Sequence, residues 1–364
     1  MNSLSKFFVT VLFLFTIAPI VVFFRFNPSA STGGLFLYLY QFIVIIVGLS
    51  LKGKVLKNHK PIYVNKSLVN GVLIMLILIP FSILVLEGGL SNWNINPELV
   101  YDYRNSNSNK VVLTGFLAYL TMWSLVIFAN YLIVYYFISK QYNRVLILVL
   151  FYFLWYGMTG HKSFLMYPVF SIFVFFILKH KEPSYFLLRN LSLFIGVAYI
   201  VDNIFFPLPF LTSTFTRRLL FIPANTAFAY YDYFGQQGFL YWSNSFLKSF
   251  IDYEHSVSPA LLIGKYMGDS TMVANNSFLS TGYMHFGFLG ATIYSVMFVF
   301  LIKSLPGINR TKASIAKVAI ISLPIFQLIT SSDFLTTLLT HGLAIGLFVI
   351  MITKAPSYED SCNI

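Results

Sequence analysis

Charge is scarce in this sequence. Asp, Glu, Lys and Arg make up 10% of its 364 residues, against about a quarter in soluble domains, and this excludes a water-soluble domain. Acidic residues are the scarcer sign, 12 against 24 basic ones, which leaves a formal charge of +12. In a soluble chain that balance would suggest nucleic acid. Here 57% of the residues are hydrophobic and the mean hydropathy is +0.76, so the basic excess is read by side of the membrane and no nucleic-acid partner is expected. The single cysteine, Cys362, lies two residues from the C-terminus, which excludes a disulfide framework and a thiol metal site. Ionisable groups inside the apolar runs come down to His341, with Asp202 and Asp333 near run ends. Ion-coupled transporters place charged relays at mid-depth. Neither an inverted repeat nor paired broken helices are legible in the chain, and a transporter is disfavoured.

Apolar runs are abundant. Spanning a bilayer takes about 20 apolar residues, and ten candidates follow in order: 7–24, 33–51, 68–86, 111–138, 145–160, 164–178, 191–206, 284–302, 318–332 and 334–353. The first reads as a retained signal anchor. The fold class is all-α, a polytopic helical membrane protein of about ten transmembrane helices, forming one integral domain over residues 1–364. With the N-terminus inside, inner links and termini hold 16 of the 24 basic residues, and the outer side holds nine of the twelve acids. The positive-inside rule therefore places both termini in the cytoplasm. The basic residues on the outer side are the informative ones, because the rule disfavours them there.

The longest outer segment, residues 207–283, is too long for a connector and too rich in Arg, Tyr, Phe and Trp for a disordered linker. It contains Arg217-Arg218, then Leu219–Ile222, Pro223 and the patch Tyr230-Tyr231-Asp232-Tyr233-Phe234. On a helix Phe215, Leu219 and Ile222 share a face beside Arg218, which predicts an amphipathic helix lying on the outer membrane surface. Two adjacent guanidinium forks match pyrophosphate oxygens; lipid contact or pairing with Asp232 is the alternative. The segment ends in Asn275-Asn276-Ser277 and runs into Tyr283-Met284-His285 and a Gly-rich helix start. Asn276 and His285 are candidates for hydrogen bonds to a sugar, His285 also for a general base. The aromatic residues of the segment suit sugar stacking or an interfacial belt.

Elsewhere on the outer side stand Arg104, beside Asp102, and Lys162 in the turn Gly160-His161-Lys162-Ser163. Lys162 suits either a phosphate or a snorkelling contact with head groups. The first outer link, 25–32, has no acid, whereas membrane glycosyltransferases that use a divalent metal place acids there. His161 has no ligand at metal spacing, and no metal or cofactor is expected. An acyltransferase would call for a His/Asp pair at a span mouth, and none is apparent in the sequence.

The arrangement of spans and late outer segment resembles the Wzy-type O-antigen (oligosaccharide repeat-unit) polymerases. Three local patterns carry the likeness: Thr159-Gly160-His161-Lys162-Ser163; Arg217-Arg218 with Pro223-Ala224 and Tyr230-Tyr231-Asp232-Tyr233-Phe234; and Asn275-Asn276-Ser277 with Tyr283, Phe286-Gly287-Phe288-Leu289-Gly290. Arg104 and Gly115 also match an R-x10-G spacing found in such polymerases. The resemblance implies an enzyme of the bacterial inner membrane that is active on the periplasmic face. It would move a growing glycan from one undecaprenyl pyrophosphate carrier to the non-reducing end of another carrier-linked repeat unit, without metal, and a chain-length regulator is a possible partner. The implied catalytic set is Arg217 and Arg218 on the donor pyrophosphate with His285 and Asp232. Arg104, Lys162, Asn276, Tyr231 and Tyr283 would bind substrate. O-antigen ligases carry a His where this chain has Asn275 or Asn276, which weakens a ligase reading; a lipid-linked oligosaccharide flippase is the other alternative.

Overall fold

The computed structural model describes residues 1–51, 53, 64–91, 93–94, 114–206, 209–305 and 312–353. Among these residues every regular element is a helix. In chain order they are α1 (Ser3–Phe26), α2 (Thr32–Ser50), α3 (Lys66–Leu86), α4 (Phe116–Ile138), α5 (Tyr142–Thr159), α6 (Ser163–Lys179) and α7 (Pro183–Phe205). They continue with α8 (residues 212–237), α9 (Pro259–Tyr266), α10 (residues 278–285), α11 (residues 288–304), α12 (Lys312–Thr330), α13 (Phe334–Leu339) and α14 (Leu343–Ile352). Eight stretches among the described residues are long and apolar enough to cross a membrane: α1 to α5, α7, Phe278–Ser304 and Phe334–Ile352. Ser163–Lys179 and Ser314–Thr330 are apolar but shorter. The chain is a multi-pass helical membrane protein.

Two compact units are formed. One comprises Met1–Asn58, Glu182–Leu305 and Phe326–Thr337; the other comprises His59–Lys181, Pro306–Ile325 and Leu338–Ile364. In the second, α4 contains a wide π-turn, Ser124–Phe128. Such a turn leaves carbonyls without their usual helical donors, and in an apolar surrounding these must be satisfied by side chains. The Asn130 amide donates to Leu125 O and Val126 O at 3.1 Å each, and the Tyr152 hydroxyl also donates to Leu125 O. The helix Phe334–Ile352 is interrupted at residues 340–342, where Gly342 is left-handed (φ 73°) and the Trp123 indole donates to Leu339 O at 2.6 Å.

The first unit holds the segment expected as an outer loop, and there the structure departs from the sequence reading. Residues 212–237 form one helix whose first ten residues, Thr212–Phe221, are π-helical. Pro223 explains the wide register. It has no N–H to give to Leu219 O and its ring would collide with that carbonyl, so the ladder widens and Ile222 N–H bonds Arg217 O instead. The same device precedes Pro19 in α1, where Ala18 N–H bonds Phe13 O. In the wider register Leu220 turns inward, while Phe215, Leu219 and both arginines stay exposed.

Nor does α8 lie on the surface. Its Phe215 ring contacts Phe194, in the middle of α7, at 5.5 Å. Pro223 and Ala224 are level with Thr16 and Ile20 of α1, and Phe228 stacks on Phe23 and Phe24 near the end of α1. The helix therefore dips into the bundle and returns towards the end shared by the close of α1 and the start of α2. Ala224, Ala227, Phe228, Tyr230 and Phe234 are buried. Tyr38 of α2 ties the packing together, its hydroxyl donating to Ala227 O at 2.6 Å and lying 3.0 Å from Ser280 Oγ.

A second departure concerns the span predicted at 284–302. Residues 278–304 are two helices joined by a sharp turn at Phe286 (φ −145°, ψ 25°) and Gly287 (φ 61°, ψ −139°). The pairing is antiparallel: Phe278 stacks on Phe298 at 4.8 Å, and Gly282 abuts Gly290 so closely that a Cβ on Gly290 would lie 2.1 Å from Gly282 O. α10 thus rises alongside α8, and α11 descends along α2, where Tyr40 and Thr292 hydroxyls meet at 2.8 Å.

Candidate active site

The apex of the α10–α11 hairpin carries His285. The chain returns over it as a strap, residues 239–245. Leu240 N–H bonds Met284 O at 3.0 Å, Tyr241 N–H bonds His285 O at 3.1 Å, and Trp242 N–H bonds His285 Nδ1 at 3.2 Å. An Nδ1 that accepts leaves Nε2 to carry the imidazole hydrogen. Nε2 faces Asp333 Oδ2 at 3.4 Å, off the line of a formed hydrogen bond. Asp333, between α12 and α13, accepts from the Tyr294 hydroxyl at 2.9 Å, and Tyr294 in turn accepts from the Trp242 indole at 3.0 Å. The four residues close a ring. His285 is 1% exposed and the Asp333 side chain 13%.

The other oxygen of Asp333 caps α13, accepting from Leu335 N at 2.8 Å and Thr336 N at 3.2 Å. Burial works against ionisation of this carboxyl, but His285, the Tyr294 hydroxyl and the backbone amide outweigh it and hold it below the usual carboxylate range. A carboxylate facing Nε2–H fixes the tautomer, so Nδ1, which accepts from the Trp242 N–H, is the nitrogen with the lone pair. The absence of a His/Asp pair at a span mouth, expected from the sequence, is thereby corrected. The partners are 48 residues apart, and no local spacing could have signalled them.

Tyr231 and Tyr283 stack at 5.0 Å (29° between planes) two residues before His285. Phe239 of the strap meets Tyr283 edge-on at 5.5 Å. Asp232 is half-buried on the same end of α8. The structure thus brings Tyr231, Tyr283, Asp232 and His285 to one end of the α8–α10 pair. Asn276 lies at the other end, buried, its Nδ2 donating to Pro223 O at 2.9 Å and its Oδ1 accepting from Ser277 N at 2.7 Å. Both of its polar ends are engaged with backbone, which makes it a fastener between α8 and the hairpin rather than a sugar ligand. Asn276→Ala is expected to cost roughly 1–3 kcal/mol, because it strands a buried amide and a buried carbonyl, seen as a lower melting temperature of the solubilised protein.

Arg217 and Arg218 are exposed at the Asn276 end, 14 and 13 residues before Tyr231, or on the order of 20 Å along the helix axis if the α-helical rise of about 1.5 Å per residue is taken for the part beyond the π-turns. They and His285 are not one constellation. Lys162 is exposed where the chain enters α6, after the left-handed Gly160 (φ 70°), in the second unit. Arg104 lies outside the described residues. No group of three or more His, Cys, Asp or Glu is placed to hold a metal ion among the described residues. Compared with protein-family models, curated proteins and solved structures, the chain matches none.

Proposed function

We propose that this protein is a repeat-unit polymerase of surface polysaccharide, joining a growing glycan from a polyprenyl pyrophosphate carrier to the non-reducing end of another carrier-linked repeat unit, on the outer face of a bacterial inner membrane. One observation carries the reading. A single helix carries two exposed arginines near its start and, towards its other end, a tyrosine stacked on Tyr283, two residues before a buried imidazole that faces a carboxylate. The acceptor has the same polarity, with an anionic lipid-linked pyrophosphate at one end and the reacting hydroxyl a few sugars away at the other. The separation along α8 suits the arginines to the acceptor's pyrophosphate. A grip on the donor's pyrophosphate would need them beside the carbon that His285 serves. The reading also rests on the resemblance to the Wzy-type polymerases.

The test is a gel of surface polysaccharide from the host lacking this gene. Lipid carrying one repeat unit with the ladder lost is the expected result. Loss of every capped species would point to a flippase or ligase, and an unchanged ladder would overturn the proposal. Arg217→Ala and Arg218→Ala are each expected to shorten or remove the ladder at normal protein level, by about 1.5–3 kcal/mol of lost charge-assisted hydrogen bonding or about 10- to 100-fold in rate. Full-length polymer in normal amount would sink the arginine assignment. The His285–Asp333 pair favours one second reading, acyl transfer to a sugar hydroxyl. An intact ladder that has lost its ester groups would establish it.

A further inference from the structure

A buried base must be uncovered before it can work. We propose that residues 239–245 are a lid whose Trp242 amide stands in for the acceptor hydroxyl at His285 Nδ1, and that Asp333 is the positioning residue that keeps that nitrogen the proton acceptor. This rests on the polymerase reading of the same site.

Trp242 N–H donates to the one imidazole lone pair, along the line from which a substrate O–H would have to donate. The lid is attached by the backbone bonds to Met284 and His285, the Trp242 N–H bond to Nδ1, the indole bond to Tyr294, and ring contacts of Phe239 with Tyr283 at 5.5 Å, Tyr241 with Phe286 at 5.5 Å and Trp242 with Phe286 at 4.8 Å. Trp242 alone makes three of them. The lid is also held in a reluctant conformation. Tyr241 (φ 50°) and Trp242 (φ 62°) are consecutive left-handed residues, and neither is glycine; such strain persists only where surrounding contacts impose it. Opening relieves the strain and frees Nδ1. Asp333 does not move with the lid, since its other oxygen is fixed to the amides of α13, so the imidazole keeps its orientation while Nδ1 is exposed.

With the lid open the acceptor hydroxyl gives its proton to Nδ1 as its oxygen bonds the donor's anomeric carbon. The bond from that carbon to the donor's pyrophosphate oxygen breaks, and its electron pair leaves with the pyrophosphate. The imidazolium, held against Asp333, then releases its proton to water and the lid recloses.

The experiment uses the full chain in detergent or nanodiscs. Diethyl pyrocarbonate is added, and acylation of each histidine is followed by peptide mass spectrometry, with half-buried His255 as the internal reference. In the wild type His285 is expected to react more slowly than His255. Trp242→Ala removes the indole bond and the ring contact, and is expected to speed His285 by at least about tenfold, the open population gained on losing the indole hydrogen bond alone, with His255 unchanged. Equal His285 rates in the two proteins, or His285 as fast as His255 in the wild type, overturn the lid. Asp333→Asn keeps Oδ1 for the α13 cap and removes the charge. It is expected to lower kcat for polymerisation of a carrier-linked repeat unit by about 100-fold, the low end of general base catalysis, with KM unchanged. An unchanged kcat overturns the positioning role. The labelling pattern without any polymer from the wild type would support the lid and overturn the function.

Discussion

Gly290→Val is expected to leave no folded protein in the membrane. Gly290 and Gly282 are where the two arms of the hairpin touch, and a Cβ on Gly290 would stand 2.1 Å from Gly282 O and 3.1 Å from Phe286 Cβ. The obstacle is backbone, so no side chain can swing aside. The arms would have to part, and with them the stacked Phe278–Phe298 pair and the His285–Tyr294 contact at the apex. Overpacking of a tight site costs roughly 1–3 kcal/mol and more where backbone is struck, and proteins have only about 5–15 kcal/mol to lose. Gly196→Ala is the control. Nothing lies within 4 Å of a Cβ there, and alanine is favoured over glycine in a helix by about 1 kcal/mol. Quantifying each variant in the membrane fraction decides the matter: equal amounts would mean that the hairpin is not closed as described.

The long apolar runs were legible because the bilayer imposes their length. What the runs do inside the bundle was less so. The sequence puts residues 278–283 in the outer segment and starts the descending span at Met284, because an apolar arm of eight residues is too short to read as a spanning helix of its own. The turn at Phe286-Gly287 rests on one glycine in a Gly-rich stretch, and nothing in the sequence marks which glycine takes the positive φ. The π-register of residues 212–221 leaves no trace in composition apart from the proline two residues on; an α-helical wheel through it puts Phe215 and Leu219 on one face, and both are exposed in the structure, but it does not turn Leu220 inward. In the candidate site Tyr231, Tyr283 and His285 were found by residue type and nearness in sequence. Asp333 stands in the sequence only as an acid near a run end, and nothing there marks Tyr294 or Trp242, because only the hairpin and the returning strap bring the three together. The chemistry of its amide makes Asn276 a sugar-binding candidate in the sequence, and the structure engages that amide with Pro223 and Ser277.

Asp202→Ala is expected to unseat the whole re-entering helix. This carboxylate is buried at the end of α7 and receives Phe210 N at 3.2 Å, Leu211 N at 2.8 Å, Thr212 N at 2.7 Å and Thr212 Oγ1 at 2.5 Å. It caps the start of α8 from another helix, and the first amides of a helix have no partners of their own. In an apolar surrounding, where water is not at hand to replace the carboxylate, each must be satisfied by protein. Alanine strands three amides and a hydroxyl together. Asparagine keeps Oδ1 for Phe210 and Leu211 and gives up only the Thr212 pair, so its effect should be much milder. Maleimide labelling of Ser213→Cys in a Cys362→Ser background reads the difference, because Ser213 is half-buried when α8 is seated. Fast labelling in Asp202→Ala with slow labelling in Asp202→Asn is the expected result. Slow labelling in both would mean that α8 is held by its apolar face alone, through Ala224, Ala227, Phe228 and Phe234. The arginines would then keep their place at its start whether or not Asp202 is present.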